Sequence, residues 1–311
     1  MTYNVWAIIV TFNPNLETLD GLLQAIAGQV AQIYIVDNGS IPDILDKLRL
    51  RLEYSHLMLR QLGENTGVAT ALNVGIKAAI QNGASHCILF DQDSLPNQNM
   101  VAELLRVEEE LLLEGKKVGA IGPTFIDKRN GHIAPFIEIK AGRVIRKFPE
   151  TTKREVYLAS YLISSGSLIR KMAIIEIGEF QNEMFIDYVD IEWGLRASRK
   201  GFNCFGCSMA IMQHAIGDKT VCIPFSGKHI PLHSASRDYY LMRNAIFLYR
   251  HKNIPIEWKI ADGLRLPLRF LFYALSSESK FQHIKMMSLG IMHGLKGKMG
   301  RFSKKARGFK K

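Results

Sequence analysis

Residues 5–10 (VWAIIV), 33–36 and 87–90 (CILF) are short, continuously apolar runs, each stopped by polar or turn-forming residues. Runs of that length predict strands buried on both faces of a sheet. Between the first two, residues 16–26 carry Leu16, Leu19, Leu22, Leu23 and Ile26 at helical spacing. Further helices are expected over about 42–52 and 68–81, with a strand near 57–59. The resulting βαβαβαβ alternation predicts an α/β fold whose mainly parallel sheet is flanked by helices.

The pattern then loosens. A helix over about 99–114 and a strand over 118–121 closed by Gly122-Pro123 precede extended, turn-rich segments over 124–155. Residues 157–163 read as a strand ending at Ser164-Ser165-Gly166-Ser167, with a short helix over about 169–175. A helix over about 191–200, a strand within 201–214 and a helix running to Arg250 follow. Residues 260–276 and 281–295 are apolar-rich helical candidates interspersed with Arg265, Arg269, Lys280 and Lys285.

Ligands of such sheets bind outside the carboxyl ends of the strands, so Thr11, Asp37, Asp91 and Asp93 are expected at one rim. In Asp91-Gln92-Asp93, two carboxylates one residue apart at a strand end suit a hard divalent cation that also holds phosphate oxygens. An acidic turn with a helix cap at Ser94 accounts for the same residues. Asp37 and Asn38 can hydrogen-bond a pyrimidine edge, although Asp-Asn-Gly-Ser is also an ordinary turn. Gly67, Ala69 and Gly75, with Asn73 among them, keep a helix surface small where a ligand approaches. No G-x-x-x-x-G-K-[ST] loop and no G-x-G-x-x-G follow a strand, which disfavours P-loop and dinucleotide enzymes.

A second acidic cluster, Asp187, Asp190 and Glu192, surrounds the start of the 191–200 helix. Asp187 and Asp190 stand at capping-box spacing. Three acids within six residues exceed what a cap needs, and a carboxylate facing an acceptor sugar serves as a general base. His233, Arg237, Tyr239, Tyr240, Arg243 and Asn244 give cations and phenols suited to a diphosphate or a sugar.

Composition adds limits. Of 311 residues, 47% are hydrophobic and 22% charged, which is ordinary globular usage with room for a sizeable core. No run of about 18 apolar residues predicts a spanning helix. The start lacks the basic flank of a signal peptide, so a cytoplasmic protein is expected. Cys204-Phe205-Gly206-Cys207 has C-x-x-C spacing, but without a second pair it makes a poor zinc site. The net charge of +11 is concentrated: residues 251–311 hold fourteen Lys/Arg against Glu257, Asp262 and Glu278. That pattern points to an anionic surface as partner, and with no nucleic-acid-binding motif, to no nucleic acid.

Five segments in register now resemble a known family: Thr11-Phe12-Asn13-Pro14, Val36-Asp37-Asn38-Gly39-Ser40, Asn65-Thr66-Gly67-Val68-Ala69 with Asn73 and Gly75, Asp91-Gln92-Asp93, and Phe185-Ile186-Asp187-Tyr188-Val189-Asp190-Ile191-Glu192-Trp193. Over residues 4–250 the chain resembles family-2 glycosyltransferases, above all the bacterial rhamnosyltransferases among them. The resemblance implies a GT-A fold, a nucleotide-diphospho-sugar donor such as dTDP-L-rhamnose, inversion at the anomeric carbon and a divalent cation, Mn2+ or Mg2+. By likeness, Thr11, Asn13, Asp37, Asn38, Asn65, Gly67, Asn73, Asp91 and Arg243 are expected on the nucleotide-sugar. Asp93 is the expected metal ligand, with His214 as a second and Asp91 possible. Asp190 matches the family's base; the usual Glu-Asp pair is here Val189-Asp190, which leaves Asp187 and Glu192 as alternatives. Trp193, His233 and Arg237 are expected on the acceptor or diphosphate.

The resemblance sets residues 1–250 as the transferase domain, with a nucleotide-sugar half over about 1–122 and an acceptor half over about 123–250. Residues 251–311 form a helical, basic extension. The Gln-x-x-Arg-Trp segment of processive members is absent, which argues for addition of one or a few sugars in cell-surface polysaccharide synthesis. A non-catalytic nucleotide- or glycan-binding member and a UDP-sugar donor are the competing readings. The expected acceptor is a lipid-linked glycan, and about residues 260–311, apolar-rich helices followed by eight Lys/Arg in residues 296–311, are expected to hold the protein at the inner face of the plasma membrane.

Overall fold

The computed structural model describes residues 3–52, 57–127, 131–214, 219–222, 229–232, 234–277 and 279–302, with 52, 214, 219–222 and 229–232 described by backbone alone. The first seven elements are β1 (Val5–Thr11), α1 (Leu16–Ile26), β2 (Gln32–Asp37), α2 (Pro42–Leu52), β3 (Leu57–Gln61), α3 (Val68–Gln81) and β4 (His86–Asp91). They follow the expected alternation. β1 pairs in parallel with β2 and β4, and β2 with β3. Successive residues of β1 point to opposite faces, so Ile8 packs into one core with Val36, Leu72 and Trp193, and Ile9 into another with Leu19, Ile35 and Phe90. Asn15 starts α1 by accepting from the Thr18 amide, 3.0 Å.

The remaining elements are β5 (Ser94–Pro96), α4 (Met100–Leu113), β6 (Val118–Asp127), β7 (Phe136–Lys140), β8 (Arg143–Lys147), β9 (Val156–Ala159), β10 (Leu168–Arg170), α5 (Lys171–Ile177), a 3-10 turn (Asn182–Met184), α6 (Val189–Arg199), β11 (Asn203–His214), β12 (Lys219–Cys222), β13 (His229–Leu232), α7 (Ala235–Arg250), α8 (Ile256–Gly263), α9 (Leu266–Ser276) and α10 (Lys280–Lys296). The main sheet runs β3-β2-β1-β4-β10-β6-β11-β5, with β9 also on β11. β10 lies antiparallel between β4 and β6, and β5 antiparallel to β11. The sheet is therefore parallel over β3-β2-β1-β4 and mixed beyond.

Several expectations change in detail. Ser94 is not a helix cap but the first residue of β5. The strand expected to stop at Gly122-Pro123 continues to Asp127, because Pro123 faces a break in the β6–β11 register and is not required to donate. Leu168–Arg170 is a strand, and the short helix starts after it at Lys171. The strand expected over 157–163 ends at Ala159. The helical candidate 260–276 is two helices, since Gly263 ends α8 and Pro267 sits in the first turn of α9, where its missing N–H costs nothing.

The C-terminal helices pack onto the rest of the chain. α10 lies along α7 at close range: a Cβ on Gly290 would stand 2.4 Å from the Tyr239 carbonyl oxygen, and one on Gly294 2.6 Å from that of Arg243. Among the described residues, no helix is long and apolar enough to cross a membrane.

Candidate active site

The strand register assembles the expected rim. Thr11 pairs with Asp37 across β1 and β2, and Val10 with Asp91 across β1 and β4. The Thr11 hydroxyl donates to Asp37 at 3.1 Å, and the same buried carboxylate accepts from the amides of Gly39 (3.1 Å) and Ser40 (2.9 Å) and from the Ser40 hydroxyl. Asn13, at φ 46°, closes the neighbouring loop, its amide donating to Ser40 Oγ and its side chain accepting from Ile41. Asn38 accepts from the Thr66 amide (2.8 Å) and hydroxyl and donates to Asn65, whose side chain in turn accepts from the Gly67 amide. Thr11, Asn13, Asp37, Asn38, Asn65 and Gly67 are thus one hydrogen-bonded ledge.

Two serines join the Asp91 end of the rim to the second acidic cluster. The Ser165 hydroxyl accepts from the Asp91 amide at 3.0 Å and lies 2.6 Å from the Ser94 hydroxyl. Its neighbour Ser164 donates its amide to Asp190 at 3.3 Å. Asp190 sits in the first turn of α6, facing a small cavity lined by Leu89, Leu162, Ser164 and Trp193. Burial pushes its carboxyl up to about 6, against the opposing pull of the Ile191 and Ser164 amides. A carboxylate so poised is ionised at neutral pH yet ready to accept a proton.

The segment before Asp190 is strained. Phe185 (φ 67°), Asp187 (φ 63°) and Tyr188 (φ 63°) all have positive φ, and each such residue costs of order 1–3 kcal/mol. Other elements hold them there. Val68 donates to the Phe185 carbonyl at 2.7 Å over Gly67, where a Cβ would stand 2.6 Å from that oxygen. The Asn244 amide donates to the carbonyls of Met184 (2.9 Å), Ile186 (2.8 Å) and Asp187 (2.8 Å). Arg243 donates to Glu183 and Met184, and Phe185 stacks on Tyr240. Tyr188 donates to Asp262 of α8 and accepts from Arg269 of α9.

This arrangement reassigns some expected ligand residues. Arg243 is fully buried and bonds protein carbonyls, so it braces the loop instead of meeting a diphosphate. Asn73 is buried too, its amide joined to both backbone groups of Phe180 nearby and to Asn182. Glu192 forms a two-pronged pair with Arg196, at 2.8 and 2.9 Å, and Asp187 pairs with Arg237 at 3.1 Å. Each alternative base is thus held in an arginine pair. Trp193 is buried beneath Asp190 and donates to the Gly178 carbonyl. The capping box is also replaced: α6 starts at Val189, with Asp190 inside its first turn and Tyr188 as cap. Ser164, Ser165 and the clamping role of Asn244 had no sequence signal beyond the glycine at 166, whose φ of 74° marks the turn between Ser165 and Ser167.

For a divalent cation the donor set is one of oxygens and an imidazole. Asp91 and Asp93 flank the end of β4, and the β5–β11 register sets His214 opposite Ser94, the residue after Asp93. The carboxylate oxygens of Asp91 and Asp93 are of the kind that would suit a hard ion. The His214 side chain and all of His233 lie outside the described residues. Among the described residues, no three His, Cys, Asp or Glu side chains form a cluster that could hold a metal. Cys204 and Cys207 are buried in β11 and their thiols are raised by burial, which suits no metal or redox role.

Residues 6–178 match the family described as Glycosyl transferase family 2. The dTDP-rhamnosyl transferase RfbF of Shigella flexneri is 33% identical over 300 residues, covering 96% of this chain and 98% of that one. Among solved structures, GalNAc-T7 with UDP, GalNAc and Mn2+ superposes with a TM-score of 0.60 at 13% identity, over 94% of this chain and 56% of that one. The mannosyltransferase PcManGT of Pyrobaculum calidifontis, with GDP-Man and Mn2+, gives 0.56 at 14% identity, over 95% and 76%. These structural likenesses establish the GT-A fold.

Proposed function

The chain belongs to glycosyl transferase family 2, and from that membership we propose that it moves L-rhamnose from dTDP-L-rhamnose to a lipid-linked or polysaccharide acceptor, with inversion at the anomeric carbon. The observation that carries the reading is the Ser164-Ser165 link: adjacent residues touch Asp190 and Asp91, so a raised carboxylate stands beside the donor-side rim. The likeness to a dTDP-rhamnosyl transferase over nearly the full length supports the choice of donor.

In this scheme the rim over Thr11, Asp37 and Asn38 receives the nucleoside, with the fully buried Thr11 and Asp37 shaping that rim through their bonds to each other and to Gly39 and Ser40, and Asp190 takes the proton of the acceptor hydroxyl. The oxygen forms its bond to C1 as the bond from C1 to the diphosphate oxygen breaks, and dTDP leaves with the electron pair. Asp93, with Asp91 and His214, would hold a divalent cation, whose charge offsets that growing on the diphosphate. Asp187, Tyr188 and the Asn244 clamp fix the height and direction of Asp190. The acceptor is presented at the cytoplasmic leaflet and the product feeds surface-polysaccharide synthesis.

The testing experiment is a thermal-shift screen with dTDP-L-rhamnose, UDP-GlcNAc and GDP-mannose, each with Mn2+, Mg2+ or EDTA. The proposal expects the largest shift with dTDP-L-rhamnose plus metal. A larger shift with a UDP- or GDP-sugar would assign a different donor.

A further inference from the structure

Helices α8 and α9 are joined by Leu264 and Arg265 alone, both in helical conformation. Their outer side exposes Ile256 (62%), Ile260 (50%), Leu264 (72%), Leu268 (67%), Leu271 (55%) and Leu275 (61%). Spacings of four, four, four, three and four residues put all six along one stripe. The opposite side carries Trp258, Asp262, Leu266 and Tyr273, all buried. Apolar side chains scattered singly on a surface need no explanation, but a six-residue stripe does.

The surroundings say what covers it. The tip of the β7–β8 hairpin borders the stripe, since a Cβ on Gly142 would meet Ile260 at 3.9 Å. That hairpin exposes Lys140, Arg143 and Arg146, while its acid, Glu138, is paired with Lys147 at 2.6 Å. On and between the helices Lys259 and Arg265 are partly exposed, and Lys280, which begins α10, is exposed. Glu257 is the one exposed acid among the described residues of α8 and α9, and Asp262 points inward to Tyr188 and Tyr249. Of the fourteen Lys/Arg in residues 251–311, Lys259, Arg265 and Arg269 lie on or between these two helices and eight lie in residues 296–311.

We propose that the α8–α9 stripe, rimmed by the basic hairpin, is a docking surface for an anionic bilayer, lying flat in its headgroup region. An apolar face with a cationic border is the pattern of helices that rest in the interface, and at eight and eleven residues neither helix can span it. Each basic residue near such a leaflet changes partitioning by about fivefold. The inner side of the same helices holds Tyr188, two residues before Asp190, through Asp262 and Arg269. Docking therefore sets the height of Asp190 above the leaflet, where a lipid-linked hydroxyl arrives. Expectation from sequence favoured the whole region 260–311; here the surface is narrowed to α8–α9, because Met287, Gly290 and Gly294 of α10 are buried on α7. The inference rests on the membrane-side reading above, not on the identity of the donor.

The test is co-sedimentation of the full chain with phosphatidylcholine vesicles, with and without about one third phosphatidylglycerol. Binding should require the anionic lipid and fall with salt. Leu264→Glu combined with Leu268→Glu should weaken it at least about tenfold, and Arg143→Glu with Arg146→Glu should weaken it too, with turnover of a water-soluble acceptor unchanged. Equal binding to neutral vesicles, undiminished binding by the double leucine variant, or loss only on removal of residues 303–311 would overturn the proposal. So would a dimer that the leucine variant dissociates, since a second copy would then cover the stripe. Lost turnover with vesicle binding intact would count against the transfer reading alone.

Discussion

Replacing Asp190 by Asn should inactivate the protein and make it more stable at neutral pH. The carboxyl is raised from 3.8 to about 6, with burial as the main cause. A group whose folded value lies above its unfolded value favours folding only while protonated. Its contribution is neutral below about pH 4 relative to Asn, turns unfavourable as pH rises through the window between the two values, and is complete above about pH 6. Two units at about 1.4 kcal/mol each set that cost near 3 kcal/mol. Asn, like the neutral acid, keeps one acceptor oxygen, and the pull of the Ile191 and Ser164 amides on the charged form is already contained in the value of about 6. The expectation is a gain of up to about 3 kcal/mol at pH 7.5 that vanishes at pH 4. Urea unfolding of both proteins at the two pH values measures it, alongside kcat, which should fall by about 10²-fold or more with dTDP affinity intact. Equal stability differences at both pH values would refute the burial of Asp190, and undiminished turnover would refute its role.

Three further outcomes follow from the same contacts. Asn244→Ala and Asn244→Asp should each lower kcat about tenfold or more with dTDP binding little changed, because neither can donate to the strained carbonyls of 184, 186 and 187; steady-state kinetics and calorimetric titration with dTDP check this. Asp93→Ala should lose metal-stimulated transfer and weaken dTDP binding, read by titration with Mn2+, and full activity in EDTA would count against the metal. Glu108→Ala should cost about 3 kcal/mol by urea unfolding, because it strands His86, its buried partner at 2.6 Å; the pair sits at the opposite end of β4 from Asp91, so kcat should hold.

What the sequence made legible was what periodicity and local chemistry encode. Helices α1, α2 and α3 span the ranges expected from sequence, 16–26, 42–52 and 68–81. The rule that parallel sheets bind ligands at their carboxyl edge was enough to bring Thr11, Asp37 and Asp91 together before any coordinates. Illegible features depend on tertiary partners. Ser94–Pro96 is too short to show a period, and it is a strand only because β11 lies beside it. Arg243 carries a charge that suits a phosphate, yet the loop carbonyls of 183 and 184 claim its guanidinium. The left-handed backbone at Asp187 and Tyr188 cannot be read from residues that rarely adopt it; three carbonyl bonds from Asn244 and the Asp262–Arg269 pair hold it in place.

The most direct test of the central claim is acceptor-dependent dTDP release from dTDP-L-rhamnose, using a synthetic diphospholipid-linked sugar as acceptor. The account predicts multiple turnovers by the native protein, an acid limb near pH 6, and a loss of about 10²-fold or more in Asp190→Asn. Turnover by Asp190→Asn at the native rate, or release only from a UDP- or GDP-sugar, would contradict it.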